Sequence, residues 1–110
     1  MEIKISMKTR DGASFAEAIY TGDKTIVQPG GKISEVFASH IRGGSFARKY
    51  RDDKEYVDEN RHIIKACEFN SPSIAAQFVN GSSSNGYRVW KVNGMDLGKY
   101  LEKEGIKSKK

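Results

Sequence analysis

The side chains best suited to covalent chemistry are few. Cys67 is the sole cysteine, and His40 and His62 are the two histidines. A thiol becomes a nucleophile when an adjacent imidazole takes its proton, but no local signature joins Cys67 to His62. Cys67 stands in the apolar stretch "HIIKACEF", which reads as an inert packing position. His40 and His62 flank no partner, so each reads as a surface or partly packed side chain. Asp52, Asp53 and Glu55 form a carboxylate run with basic residues interspersed, the pattern of a solvated face. A nuclease metal site needs carboxylates that converge in space, which one run does not establish. In "QPGGKIS" the pair Gly30-Gly31 precedes Lys32, but Ile33 stands where a phosphate-binding loop needs Ser or Thr, so the segment reads as a turn. The expectation is a protein with no catalytic residue, no metal and no cofactor.

Binding chemistry is better represented. A nucleic-acid partner needs cations against phosphate and hydrogen-bond donors to position it. Arg42, Arg48, Lys49 and Arg51 lie in the middle of the chain, and Arg88 and Lys91 lie near its C-terminal third. Between Gly81 and Gly86, the loop "SSSN" supplies Ser83, Ser84 and Asn85, whose hydroxyls, amide and backbone N–H groups suit phosphate contacts. For these three residues, turn geometry and ligand contact are both open readings. For Trp90 the core reading is preferred, and Arg48, Lys49 and Arg51 have a solvated helix face as their plain alternative.

Elements must hold these groups in place. Ile3, Ile5 and Met7 alternate with polar residues, which predicts a half-buried strand. Asp11-Gly12 is a turn signal, and "ASFAEAIYTGDKTIVQ" reads as a hairpin. Phe37 and Ile41, then Phe46 and Tyr50, suggest short helical pieces split at Gly43-Gly44, with Ser45 as N-cap of the second. "RHIIKACEF" has strand composition. Ser71 as N-cap, Pro72 as first helical residue and Asn80-Gly81 as stop delimit a short helix with Ile74, Ala75, Phe78 and Val79 on one face. "YRVWKV" alternates and reads as a strand, followed by a turn at Asn93-Gly94. Asp96 is placed to cap a last helix, which Gly105 ends with Ile106 in a Schellman contact.

The totals agree with one such domain. The 110 residues are 37% hydrophobic and 30% charged, enough for a modest core. The single cysteine excludes an internal disulfide, and no apolar run is long enough for a bilayer. No secretory leader is evident at Met1, so the expected compartment is the cytoplasm. The net charge is +5, which favours a polyanionic partner. Part of it resides in "KSKK" (Lys107 to Lys110), without whose lysines the balance is about +2, ordinary for a soluble domain.

The stretch from Phe69 to Leu97 resembles the C-terminal half of the domain of unknown function numbered 4357, through Phe69, Ser71, Pro72, Ser73, Ala75, Ala76, Phe78, Val79, Gly81, Ser83, Asn85, Gly86, Trp90, Lys91, Gly94 and Leu97. It departs from that pattern at Tyr87, where the family usually has tryptophan. That domain often accompanies GIY-YIG-type nucleases, and it is similar to the RAMA (restriction enzyme adenine methylase associated) module. The resemblance implies a small α+β module attached to DNA-cutting or DNA-modifying proteins.

The expectation is therefore a single α+β domain over 1–106 with a basic tail at 107–110. N-terminal antiparallel strands and a hairpin carry short helices packed on a sheet. Its expected role is a non-catalytic, nucleic-acid-binding accessory module, with DNA favoured over RNA, in a restriction, nuclease or defence setting. The candidate contacts are Arg48, Lys49, Arg51, Ser83, Ser84, Asn85, Arg88 and Lys91. The alternative is a regulatory module that contacts a protein partner, such as a nuclease or methyltransferase, without touching DNA.

Overall fold

In a computed structural model of the chain, residues 1–38 and 44–106 are described. The N-terminal alternation becomes β1 (Ile3–Lys8), whose odd residues Ile3, Ile5 and Met7 are buried. An Asx turn follows: the Asp11 carboxylate accepts from the Ala13 N–H and the Thr9 hydroxyl. These bonds favour its ionised form and lower its pKa. The chain then returns as β2 (Phe15–Tyr20), antiparallel to β1 with Ile5 opposite Ala18. β3 (Thr25–Val27) completes the expected hairpin.

β4 (Cys67–Phe69), β5 (Lys91–Val92) and β6 (Met95–Asp96) extend the sheet, whose order is β4-β3-β2-β1-β5-β6. The expected α+β class is therefore observed. β4 is much shorter than the expected strand over Arg61–Phe69. Ile63 forms only an isolated bridge with Val57, and His62 one with Lys32. The Pro29–Gly31 segment is a turn, as expected, pressed against β2: a Cβ on Gly31 would lie 2.4 Å from the Phe15 carbonyl oxygen.

The middle departs further from expectation. α1 (Gly44–Arg51) begins before Ser45, so Ser45 sits in its first turn and is not the N-cap. Phe37 lies in irregular chain, while Ile41 falls outside the described residues.

α2 (Pro72–Asn80) keeps both predicted ends. The Ser71 hydroxyl accepts from the Ile74 N–H at 3.1 Å, and Gly81 stops the helix at φ 74°. Pro72 and Ala75 through Val79 are buried, so α2 is enclosed nearly all round, beyond the one apolar face expected. It packs on β2, β3 and β4 and against α1. Phe78 meets Phe69 and Tyr50 ring to ring.

The clearest correction concerns "YRVWKV". Residues Gly86–Val89 form a single helical turn, α3, and only Lys91 and Val92 are strand. Two contacts with the start of α2 account for this. Gly86 donates its N–H to the Ser73 hydroxyl at 2.9 Å, and a Cβ there would sit 2.2 Å from the Pro72 carbonyl carbon. The fully buried Trp90 indole donates to the Pro72 carbonyl at 2.9 Å. An extended chain leaving Gly86 would not deliver the indole back to Pro72, whereas one turn does. The core reading of Trp90 is thus borne out.

α4 (Leu97–Lys103) closes the domain. Asp96 precedes it but makes no capping bond, because its carboxylate engages Lys91. The other end is the expected Schellman motif: Gly105 (φ 70°) donates to the Glu102 carbonyl and Ile106 to the Leu101 carbonyl.

Candidate nucleic-acid interface

The eight candidate residues do not form one patch. α2 spans nine residues, hence ~13 Å at 1.5 Å per residue, and the candidates fall near its opposite ends.

Arg51 reaches the C-terminal end. Its Nε donates to the Phe78 carbonyl at 2.9 Å and its guanidinium donates to the Ser34 hydroxyl at 2.6 Å. α2 has no basic residue in its own last turn, so Arg51 supplies the cation that the helix C-terminus favours. Ser34 and Ala38 donate their N–H groups to the Val79 and Gly81 carbonyls, satisfying further acceptors at that end. Burial lowers the Arg51 pKa to about 10, and Arg48 and Arg61 act in the same direction by repulsion while Asp52 opposes them. Arg48 and Arg51 both stack on the Phe37 ring, at 5.4 and 4.8 Å from its centroid. Lys49 is exposed on the same helix.

The loop between the ends is largely occupied with its own geometry. Asn80 donates to the Ser84 hydroxyl at 2.7 Å, and Ser84 donates on to the Ser82 carbonyl. Asn85 caps α3 by accepting from the Tyr87 N–H. Ser83 is exposed and makes no side-chain hydrogen bond among the described residues.

Arg88 and Lys91 lie toward the N-terminal end of α2, where Gly86 and Trp90 are anchored. Arg88 is exposed. Lys91 is committed: its ammonium donates to the Arg88 carbonyl at 2.8 Å and pairs with the Asp96 carboxylate, whose pKa is lowered by that bond. Lys91 also borders a depression of about 710 Å³ on the open face of the sheet, beside Lys8, Phe15 and Glu17. Arg42, His40 and Lys107 to Lys110 lie outside the described residues.

The chain matches the family model described as domain of unknown function DUF4357 over residues 5–102. It belongs to that family. The match covers nearly the whole fold, well beyond the Phe69–Leu97 stretch that carries the resemblance in sequence. Searches of curated proteins and of solved structures give no match.

The residues on which the family resemblance rests are mainly those that build α2 and its anchors. Ser71, Ser73, Gly81, Asn85, Gly86 and Trp90 cap, stop or tie down helices. Membership therefore accounts for the architecture, and the surface cations are a separate matter. Cys67 is fully buried, donates to the Lys65 carbonyl, and its thiol pKa is pushed up to about 12 by burial. A thiol held protonated in this way is a poor nucleophile. No group of three or more metal-ligating side chains occurs among the described residues. None of their helices is long and apolar enough to cross a membrane.

Sequence reasoning missed Ser34, Phe37 and Arg61. Asp58 and Asn60 mark a turn there, but nothing in the residue pattern signals that Arg61 adopts φ 67°.

Proposed function

We propose that this chain is a non-catalytic accessory module that binds nucleic acid, duplex DNA in the first instance, within a DNA-cutting or DNA-modifying system. The observation that carries the reading is that Arg48, Lys49 and Arg88 are exposed yet have no carboxylate within ion-pairing distance among the described residues. Arg48 lies beside Arg51, which reaches the C-terminal end of α2, Lys49 borders Asn70 and Ile74 near its start, and the Ser83 hydroxyl is exposed. Uncompensated cations carried on helices, here α1 and α3, suit phosphate contacts. The surrounding system is inferred from the family's resemblance to modules of nucleases and methylases, which is an argument by analogy.

Fluorescence anisotropy with a labelled duplex tests it. Binding is expected in the micromolar range at low salt, weakening by a log–log slope of about −0.9 per neutralised phosphate. Arg48→Glu with Lys49→Glu, and separately Arg88→Glu, should weaken binding without unfolding. No binding at low salt would sink the reading. The large exposed side chains Val36 and Phe46 favour a second reading, a surface for a protein partner. Salt-insensitive capture of such a partner, with no DNA affinity, would establish that alternative.

A further inference from the structure

The Ser34–Phe37 segment, α1 and the turn before Ile63 enclose a cleft of about 400 Å³ into which Arg48, Arg51 and Arg61 are brought together. Lys54 lines it too, and Glu35, Asp52, Asp58 and Glu59 lie along the same walls, so ion pairs would be the ordinary outcome. Yet no carboxylate lies within ion-pairing distance of a guanidinium among the described residues. The carboxylates are otherwise placed. Asp58 accepts from the Asn60 and His62 N–H groups and faces the His62 ring. Asp52 is exposed and influences Arg51 only through space. Glu35 and Glu59 are exposed.

Arg61 adds two independent peculiarities. Its backbone sits at φ 67°, a conformation that residues with a Cβ rarely adopt. Its Nε is buried without a hydrogen-bond partner. A strained residue whose side chain hides an unused donor in a cleft calls for a functional account. Arg51 is prepositioned by Phe78 and Ser34, with Phe37 packed under both Arg51 and Arg48. The Arg51 guanidinium is therefore held before any ligand arrives, and a tetrahedral oxyanion accepts several such donors at once.

We infer that this cleft is a binding site for a phosphate group, held by the guanidinium groups of Arg48, Arg51 and Arg61. It deepens the nucleic-acid reading, on which it rests only for the source of the phosphate: a backbone phosphodiester of DNA.

The test is the arginine Nε–Hε NMR spectrum of the whole chain. It is titrated with inorganic phosphate against sodium chloride at matched ionic strength. Saturable shifts of the Arg51 and Arg61 signals with phosphate alone are expected. Arg61→Gly removes the guanidinium while relieving the backbone, so the variant should fold at least as well and lose the Arg51 response. Lys103→Gln, on α4 and outside the cleft lining, should keep it. Equal shifts with chloride, or an undiminished Arg51 response in Arg61→Gly, would overturn the site. A duplex titration then decides the source. Arg61→Gly should weaken DNA binding about tenfold, as expected for loss of one charge-assisted hydrogen bond. If phosphate saturates the site but DNA affinity is unchanged, the phosphate site stands and its assignment to DNA is overturned.

Discussion

The turn of chain around α2 and α3 and the described pieces Ser34–Phe37 and Arg48–Ile64 treat similar residues differently. Around α2 and α3, most polar groups are matched inside the chain, with the buried Gln77 Oε1 as an exception. Ser71, Ser73 and Asn85 each accept a backbone N–H, and Trp90 donates to Pro72. In the middle segment, Arg61 keeps an unpaired buried donor and a left-handed backbone, and three arginines share a cleft without carboxylate contacts. A region that consumes its own hydrogen-bonding capacity is built to persist. What sets the middle segment apart is where the unused capacity lies: Arg61 lines a cleft, whereas Gln77 is enclosed in the packing of α2.

The largest effect belongs to the matched region. Trp90→Ala removes a fully buried ring together with its bond to Pro72. It should cost about 3–5 kcal/mol in a denaturant titration. Set beside Arg61→Gly, which should cost nothing, it is a direct trial of the contrast. If Trp90→Ala is tolerated and Arg61→Gly unfolds the chain, the two regions have been assigned the wrong way round.

How far each region could be read from sequence follows the same division. The ends of α2, the Asn93-Gly94 turn and the Gly105-Ile106 stop were legible because each depends on residues within a few positions of one another. α3 was not. Tyr87 through Val92 alternate like a strand, and only the distant contacts of Gly86 and Trp90 with Pro72 and Ser73 impose a helical turn. Among the candidate site residues, sequence identified the basic character of Arg48 and Arg51 but not their task. That Arg51 closes the end of a helix through Phe78, 27 residues further on, and that Phe37 lies beneath it, are facts of tertiary packing. Lys91 was legible as a cation and illegible as the partner of Asp96, whose expected role as a cap was displaced by that pairing.

Arg51 is the residue where the two regions meet, and its loss should have an intermediate effect. Arg51→Gln strips the bond to the Phe78 carbonyl and the one to Ser34. Leaving a part-buried acceptor unmatched costs about 1–3 kcal/mol. Arg51→Lys should recover little of this, because one ammonium on a flexible stem does not reproduce the planar fork that serves both acceptors. Thermal melts of the two variants check the claim. Full rescue by lysine would mean that charge alone matters at the end of α2, and Arg51 would then belong with the surface cations.

The smallest expected effect lies in the buried thiol of β4. Cys67 has its folded pKa pushed up from an ordinary 9.0 to about 12 by burial. A raised folded pKa means that the unfolded thiol ionises first. The contribution to stability is therefore fully present below pH 9 and is lost as pH rises from there toward 12. Chemical denaturation at pH 8 and pH 10.5 should show a modest fall for the native chain that is diminished in Cys67→Ala, after correction for the other titrating groups both chains share. In the folded state the thiol should also resist an aromatic disulfide reagent at pH 8 and react at once in denaturant. Fast labelling without denaturant would mean that the sheet edge at β4 opens readily, and the scaffold would then include a weak flank where burial alone gave no hint of one.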